Sequence, residues 1–478
     1  MTLAPLDWVV VAVFAVLLLG LGFSAKLRES SALQFLAAGR SLTLPFFVTS
    51  LVATWYGGIL GIGESVSYYG VGTWLLLGVP YYVFGIVYAV WLSKRVREAD
   101  QISIPDRLEA AFGRRSALVG AVLLILMAVP AAHSLMLGTL AQALTGQSLV
   151  VSVVLATAVG SLFLFKGGLL ADVRVSVLSF TLMYVGFAVA LAVGVSRFGS
   201  PLDLRGLDPN LAKVDGGAGP VAVLTFFILG AWTLVDPGFH QRAASAATPG
   251  VGRRGVLVSV GCWMVFDLLS VCVGLLALRA VVPMPENKVM LFPLFAQAVL
   301  PPGVKGLFLV GMAGTVTTAL VSYALVSGAS AGRDVLCRLR PGHNELSATR
   351  LGIAASLVAA VVLALNIKSV VALWYSWSGA IVGALLWPVW VAYRGKPARD
   401  AWTAVSMAAG AATGLAWMWW GTAHDNPNLT VKLPATIFGY NLFGQSAGTD
   451  VGIGTLIPAF AVTAVLLTLG TASDKGRT

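Results

Sequence analysis

The sequence predicts an all-α, multi-pass membrane protein built around two interrupted helices. Three observations carry that prediction. Of 478 residues, 58% are hydrophobic and only 11% charged, the composition of a chain whose solvent is lipid. Apolar runs of membrane length recur from one end of the chain to the other. Two of these runs are broken near their middle by residues that stop helices: Gly57-Gly58 in the first, Asp236-Pro237-Gly238 in the second.

A span needs about 20 predominantly apolar residues. Thirteen segments qualify: roughly 7 to 25, 44 to 69, 72 to 93, 116 to 144, 149 to 165, 170 to 196, 219 to 240, 255 to 282, 304 to 332, 347 to 367, 369 to 393, 400 to 421 and 450 to 471. The first has no basic residue before it and Lys26 and Arg28 after it, the reverse of a secretory signal's charge order, so it reads as a retained span. Loops are mostly short and no soluble module is evident. The longer connections, about 197 to 218, 283 to 303 and 422 to 449, fall on one side. Within the second of these, Asn287 to Leu300 is too short and too amphipathic to span, and reads as an interfacial helix.

A net charge of +11 invites a nucleic-acid reading, but its distribution argues for a membrane. Lys and Arg gather in alternate loops, leaving on the other side only Arg197, Arg205, Lys213, Arg279, Lys288, Lys305, Lys368 and Lys432. The positive-inside rule then sets the N-terminus outside and the C-terminus inside, as an odd number of spans requires. Neither nucleic acid nor an obligate protein partner is needed to explain the charge; the bilayer is the partner it implies.

The chemistry of the remaining residues points away from an enzyme. Cys262, Cys272 and Cys337 have no zinc-site spacing and form no even set for disulfides. His133, His240, His343 and His424 lack the paired spacing of a metal helix, and no nucleophile elbow or phosphate loop follows a strand.

The breaks carry the functional argument. In hydrocarbon every backbone N–H and C=O needs a partner, so interrupted helix is tolerated only inside protein or beside a polar cavity, where freed carbonyls can bind cations. Proline removes a donor and clashes with the preceding turn, which accounts for the second break mechanically. Asp236 beside it is costly inside a span and marks a cavity or a partner. Two readings stand for it: a carboxylate facing an ammonium group, a second cation or a proton, or an N-cap of the following half-helix.

In its motifs the chain resembles the sodium:solute symporters over nearly its whole length. Ser50 to Gly63 with Tyr69 and Gly72 resembles the family's first broken core helix. Ile104-Pro105-Asp106-Arg107-Leu108-Glu109 with Phe112-Gly113 resembles its cytoplasmic "TlPe.le.RfG" segment. Gly167-Gly168-Leu169 is similar to its "GG" span opening, Gln241-Arg242 with Ala243 and Ala244 to its "QR..A" signature, and Gly303 to Asp334 to its "lP.GlrGl…ST..S…D" span. The five occur in the family's order.

The resemblance implies a leucine-transporter-type fold: the extra span at 7–25, two inverted five-helix repeats over about 44–196 and 219–393, and accessory spans over 400–471. It implies sodium as the coupling ion, with main-chain ligands at Ala53 and Tyr56 and hydroxyl ligands from Thr315, Thr317 and Thr318 on the facing span. Two registers of the hydroxyl pair stand open, Thr318 with Ala319 or Thr317 with Thr318; a third reading has each hydroxyl bonding only its own backbone. Solute contacts are expected from Asp236, Glu64, Gly57 and Gly58, with Trp374, Tyr375 and Trp377 as a gate or interface belt, and Asp267 as another acid at membrane depth. Where the family often has "TD", this chain has Val175-Ser176, so Ser176 stands on the cation route without a carboxylate; Asp172, one turn earlier, reads as a charge on the cytoplasmic face.

The function so implied is secondary active uptake, sodium-coupled symport of a small polar organic solute such as an amino acid, sugar or carboxylate, in the plasma or inner membrane. Proton-coupled or uncoupled transport and a non-transporting sensor are the alternatives.

Overall fold

The computed structural model describes residues 1–366, 378–396, 398–424, 426, 429–433, 449–452 and 454–472. Among these, nine helices are long and apolar enough to cross a membrane, from Pro5–Ser24 to Glu345–Asn366. Leu149–Ser161, Gly379–Arg394 and Leu456–Gly470 are apolar but shorter. The last therefore starts later than the expected residue 450, because Thr449–Gly452 forms a strand paired antiparallel with Thr430–Leu433. That hairpin is a departure from an all-helical chain. Trp374, Tyr375 and Trp377 lie outside the described residues.

In chain order the helices that position the site are α1 (Pro5–Ser24), α2 (Ala32–Ala37), α3 (Leu44–Trp55), α4 (Ile59–Tyr69), α5 (Val79–Val87), α6 (Ser93–Glu98), α7 (Ile104–Ala111), α8 (Arg114–Ala128), α9 (Ala131–Thr145), α10 (Leu149–Ser161) and α11 (Leu164–Phe198). They continue as α12 (Gly219–Leu229), α13 (Pro237–Ser245), α14 (Pro249–Ala280), α15 (Leu291–Val299) and α16 (Val304–Ala329). Residues Ser330–Cys337 prolong α16 as a wider turn.

Helix starts follow local chemistry. Ser103 accepts from the Asp106 N–H while Asp106 reaches back to the Ser103 N–H, a capping box that opens α7. Thr248 caps α14 through the Val251 N–H, with Pro249 at the first turn.

The span Val304–Cys337 is the axis of the molecule, 89% buried over its most apolar window, whereas α1 is 17% buried and lies at the periphery. α11 packs along α16, and α3 lies against both. α1 is fastened by one buried carboxylate: Asp7 accepts from the Gly303 and Gly306 N–H groups at 2.7 and 2.8 Å, at the start of α16. The segment expected as an interfacial helix forms α15, but Leu291, Phe292, Phe295 and Ala296 are buried against the protein, so it caps the bundle.

One end of the bundle is tied shut. Leu42 and Ala246 form a parallel bridge through Leu42 N–H to Ser245 O (3.1 Å) and Ala247 N–H to Leu42 O (2.9 Å), and Arg97 Nε donates to Ala246 O. Arg333 and Arg338 both bind Asp106 Oδ1, at 3.0 and 2.6 Å, while Arg338 also reaches Glu109 and Asp334. This is the end on which the sequence concentrates Lys and Arg.

Candidate functional site

The two interrupted helices break in different ways. α3 and α4 are joined by a 3-10 turn at Tyr56–Gly58, with Tyr56 at φ −81°, ψ 14° and Gly58 at φ −87°, ψ 14°. The first break is thus a tightened turn, not extended peptide. Switching from four-residue to three-residue pairing still disturbs the carbonyl ladder there. In the second break a 3-10 turn at Gly230–Leu234 runs into Asp236 at φ −64°, ψ 120°, extended backbone that ends one half-helix before Pro237 starts the next.

Glycine is required at 57 by close approach. A Cβ there would lie 2.0 Å from the Ala319 Cβ and 3.2 Å from the Thr315 carbonyl oxygen, so the first break and the middle of α16 meet backbone to backbone. Ala53 and Tyr56 are buried beside this contact. The three threonines donate to their own helix: Thr315 to Met312 O (2.9 Å), Thr317 to Ala313 O (2.7 Å) and Thr318 to Thr315 O (2.8 Å). A hydroxyl that gives its proton to the backbone keeps its lone pairs, so this geometry leaves acceptor capacity for a cation. Thr317 points its methyl toward Gly160 of α10, 3.5 Å from a Cβ built there, while Thr315 O and Ala319 face Gly57.

Between the breaks lies a cavity of about 180 Å³, far above the roughly 10–15 Å³ that one water needs on the same measure. Its walls include Trp55, Tyr56, Tyr81, Trp232, Tyr323 and His133, together with Gly58, Thr54 and the carboxylate of Asp267. The rings brace one another: Trp55 and Tyr81 meet edge to face at 4.8 Å between centroids, and His133 stacks on Tyr323 at 5.3 Å.

Two buried acids hold this wall. Asp236 Oδ1 accepts from the Phe239 N–H (3.0 Å), capping α13, while Oδ2 accepts from Trp232 Nε1 (3.1 Å) and Tyr323 Oη (2.9 Å). Cap and site role coexist in one side chain. Asp267 accepts from Tyr56 Oη at 2.8 Å and from the Tyr82 hydroxyl.

A profile of the sodium:solute symporter family matches residues 35–391. The chain belongs to the sodium:solute symporter family. A relative within reach by sequence is the high-affinity choline transporter 1 of Caenorhabditis elegans, 24% identical over 421 residues, covering 77% of this chain and 70% of that one. Among solved structures, a substrate-bound, outward-open Na+-coupled sialic acid symporter superposes with a TM-score of 0.76 at 12% identity, covering 98% of both chains. The inward-facing form of the transporter Mhp1 gives 0.54 at 14% identity over 95% of each. These likenesses give the fold, the leucine-transporter type. The chain is therefore a multi-pass membrane transporter of a sodium-coupled family.

Set in a symporter, the residues singled out from sequence separate into three groups. Gly57 meets Thr315 and Ala319 where the first break packs on α16, Thr318 donates to that same Thr315 carbonyl, Tyr56 and Gly58 line the cavity beside it, Ala53 is buried one turn before Gly57, and Asp236 reaches the cavity wall through Trp232 and Tyr323. Glu64 is buried on α4 but does not line the cavity. Ser176 donates to the Asp172 carbonyl at 2.8 Å, one turn back in α11.

Asp172 corrects the sequence reading. It is fully buried, not a cytoplasmic-face charge, and its Oδ2 is 3.1 Å from Nη2 of an equally buried Arg242. Trp55, Tyr81, His133, Trp232 and Tyr323 were not foreseen, because aromatic residues in apolar runs carry no mark of which face they occupy. Pro130, which parts α8 from α9 beside His133, was legible as a proline inside an apolar run.

Proposed function

We propose that this symporter drives uptake of a small organic cation, of the quaternary or compact ammonium type, with an inward sodium gradient, by alternating access in the plasma or inner membrane. The reading comprises thirteen spans with the N-terminus outside and the C-terminus inside, and two inverted repeats over about 44–196 and 219–393. Sodium binds where the Ala53 and Tyr56 carbonyls oppose Thr315 and Thr318, with Thr317 behind them. The cavity between the breaks takes the solute.

The observation that carries the solute class is a cavity walled by Trp55, Tyr81, Trp232 and Tyr323, with Asp267 in its lining and Asp236 behind the wall, hydrogen-bonded to Trp232 and Tyr323. Ring faces attract a cation most strongly where water is excluded, by about 2 kcal/mol or more for one well-placed ring. The carboxylates supply the opposite charge. A neutral sugar carries no net charge for that field to hold, and a carboxylate would be repelled by it. The similarity to a choline transporter supports the same class.

Coupling needs each ligand to bind better when the other is present, typically by about 1 to 3 kcal/mol. Tyr56 provides a direct connection, since it belongs to the 3-10 turn on the sodium side and its hydroxyl holds Asp267 at the cavity. Closing the turn around sodium sets that carboxylate for the solute. A membrane potential adds about 2.3 kcal/mol per charge per 100 mV, and an organic cation entering with sodium gains from it twice.

Competition for uptake in proteoliposomes tests the class. Quaternary and primary ammonium compounds are expected to inhibit, and neutral isosteres and carboxylates to have no effect; inhibition by sugars or carboxylates alone would refute it. Ser176, standing where relatives often carry an acid, favours examining a proton-coupled cycle alongside, and a pH gradient that drives uptake without sodium would establish that alternative.

A further inference from the structure

Arg242 is fully buried on α13 and takes no part in the solute cavity or the sodium cluster. Its guanidinium sits among five oxygens from four helices. Nε donates to Ser50 Oγ (2.8 Å), Nη1 to Gly238 O (3.3 Å), and Nη2 to Thr54 Oγ1 (2.6 Å), Ser322 Oγ (3.0 Å) and Asp172 Oδ2 (3.1 Å). Hydroxyls, a carbonyl and one carboxylate around a unit positive charge are the donor set that a hard monovalent metal ion takes. Here a side chain supplies the charge.

The cage adjoins the candidate sodium cluster. Thr54 follows Ala53 in α3 and also lines the solute cavity; Ser322 lies one turn beyond Thr318 in α16. Ser50, one turn back from Thr54 along α3, and Ser322, one turn on from Thr318 along α16, both lie toward the end of the bundle closed by the Leu42–Ala246 bridge, the end rich in Lys and Arg. A second sodium in this space would have to displace the guanidinium or share Asp172 with it, and like charges a few ångströms apart in a dry interior repel strongly.

We propose that Arg242 is a tethered cation that fills the inner position of the cation route, so that one mobile sodium moves per cycle, with Asp172 as its counter-ion. The proposal rests on the sodium-coupled reading above. A fixed charge there balances Asp172 in every state of the cycle, and it ties α3, α11 and α16 together on the inner side of the sodium cluster. It also accounts for Ser176: with Arg242 pairing Asp172 one turn earlier, a further carboxylate at 176 has no cation left to hold.

The test is the number of sodium ions, measured by equilibrium binding of 22Na+ to the purified full-length protein and by the reversal potential of solute-coupled current in proteoliposomes. Wild type is expected to bind one and carry one. Arg242→Gln leaves Asp172, Thr54 and Ser322 facing an uncompensated space, and is expected to bind a second sodium; Arg242→Gln combined with Asp172→Asn returns the count to one. Arg242→Lys keeps the count at one. Two sodium ions in wild type would overturn the proposal even if Arg242→Gln does not fold, as would one sodium in a folded Arg242→Gln protein. Zero sodium in wild type would remove the sodium-coupled reading itself, which distinguishes the two failures.

Discussion

Gly57 sets the tightest constraint at the proposed sodium site, because only a missing side chain lets the first break rest on α16 at the Ala319 Cβ. Gly57→Ala is expected to lower apparent sodium affinity by at least about tenfold, roughly 1.4 kcal/mol, and Ala319→Gly in the same protein to restore part of it. Sodium titration of uptake in the two variants and their combination measures that coupling; strictly additive losses would place the contact outside the sodium cluster. Thr318→Ala is expected to raise the sodium requirement by a comparable factor while leaving solute affinity at saturating sodium unchanged. At Asp236, comparison of cationic, zwitterionic and neutral solutes in wild type and Asp236→Asn separates charge recognition from capping: a loss confined to cationic solutes is expected, whereas equal losses in all three classes would leave only the cap. The glycine pair and the aspartate were legible in the sequence because glycine, proline and an intramembrane acid are each improbable in a plain span. The aromatic wall was not, since Trp55 and Trp232 differ from lipid-facing tryptophans only in the direction they point, and direction depends on which helices meet.

The broken elements were placed correctly by their punctuation, but the manner of breaking was not. Asp236-Pro237 gives extended backbone because proline forbids the preceding turn, while Gly57-Gly58 gives only a 3-10 tightening because glycine permits an interruption without enforcing one. The buried pair of Arg242 and Asp172 was hidden for a related reason: the partners are 70 residues apart, and only helix packing brings them together. At the closed end, α7 presents Asp106 to both Arg333 and Arg338. Burial alone would push the Asp106 carboxyl up, but the two guanidinium groups outweigh it and hold it below the ordinary carboxylate range. A carboxylate whose pKa is lowered on folding stabilises the protein above its unfolded pKa, near 3.9, and loses that contribution only as pH falls through the lower folded value. The clamp is therefore expected to hold across the whole range in which transport is measured. Asp106→Asn is expected to destabilise the closed end by about 1 to 3 kcal/mol, below the cost of breaking a fully buried ion pair because Asp106, Arg333 and Arg338 are each partly exposed. Thermal unfolding and cysteine accessibility of the Lys- and Arg-rich face check this; an unchanged melting temperature with unchanged accessibility would show that the cluster is not a clamp.

Across the molecule, hydropathy and charge asymmetry carried the membrane character and the family motifs carried the fold, because both are written in residue type. The β-hairpin at Thr430–Leu433 and Thr449–Gly452 was not readable, since it interrupts an otherwise apolar approach to the last helix. What joins the scales is a closed end, a cavity between two breaks, and a proposed sodium cluster sharing Tyr56 with that cavity. That junction is expected to couple the two gradients. The most direct measurement is uptake of a radiolabelled quaternary ammonium compound into proteoliposomes holding the purified protein, with and without an inward sodium gradient at fixed potential and pH. Accumulation above the equilibrium level only with the sodium gradient, abolished when sodium is equal on both sides, is the result predicted; equilibration at the same rate and to the same level in both conditions would contradict it.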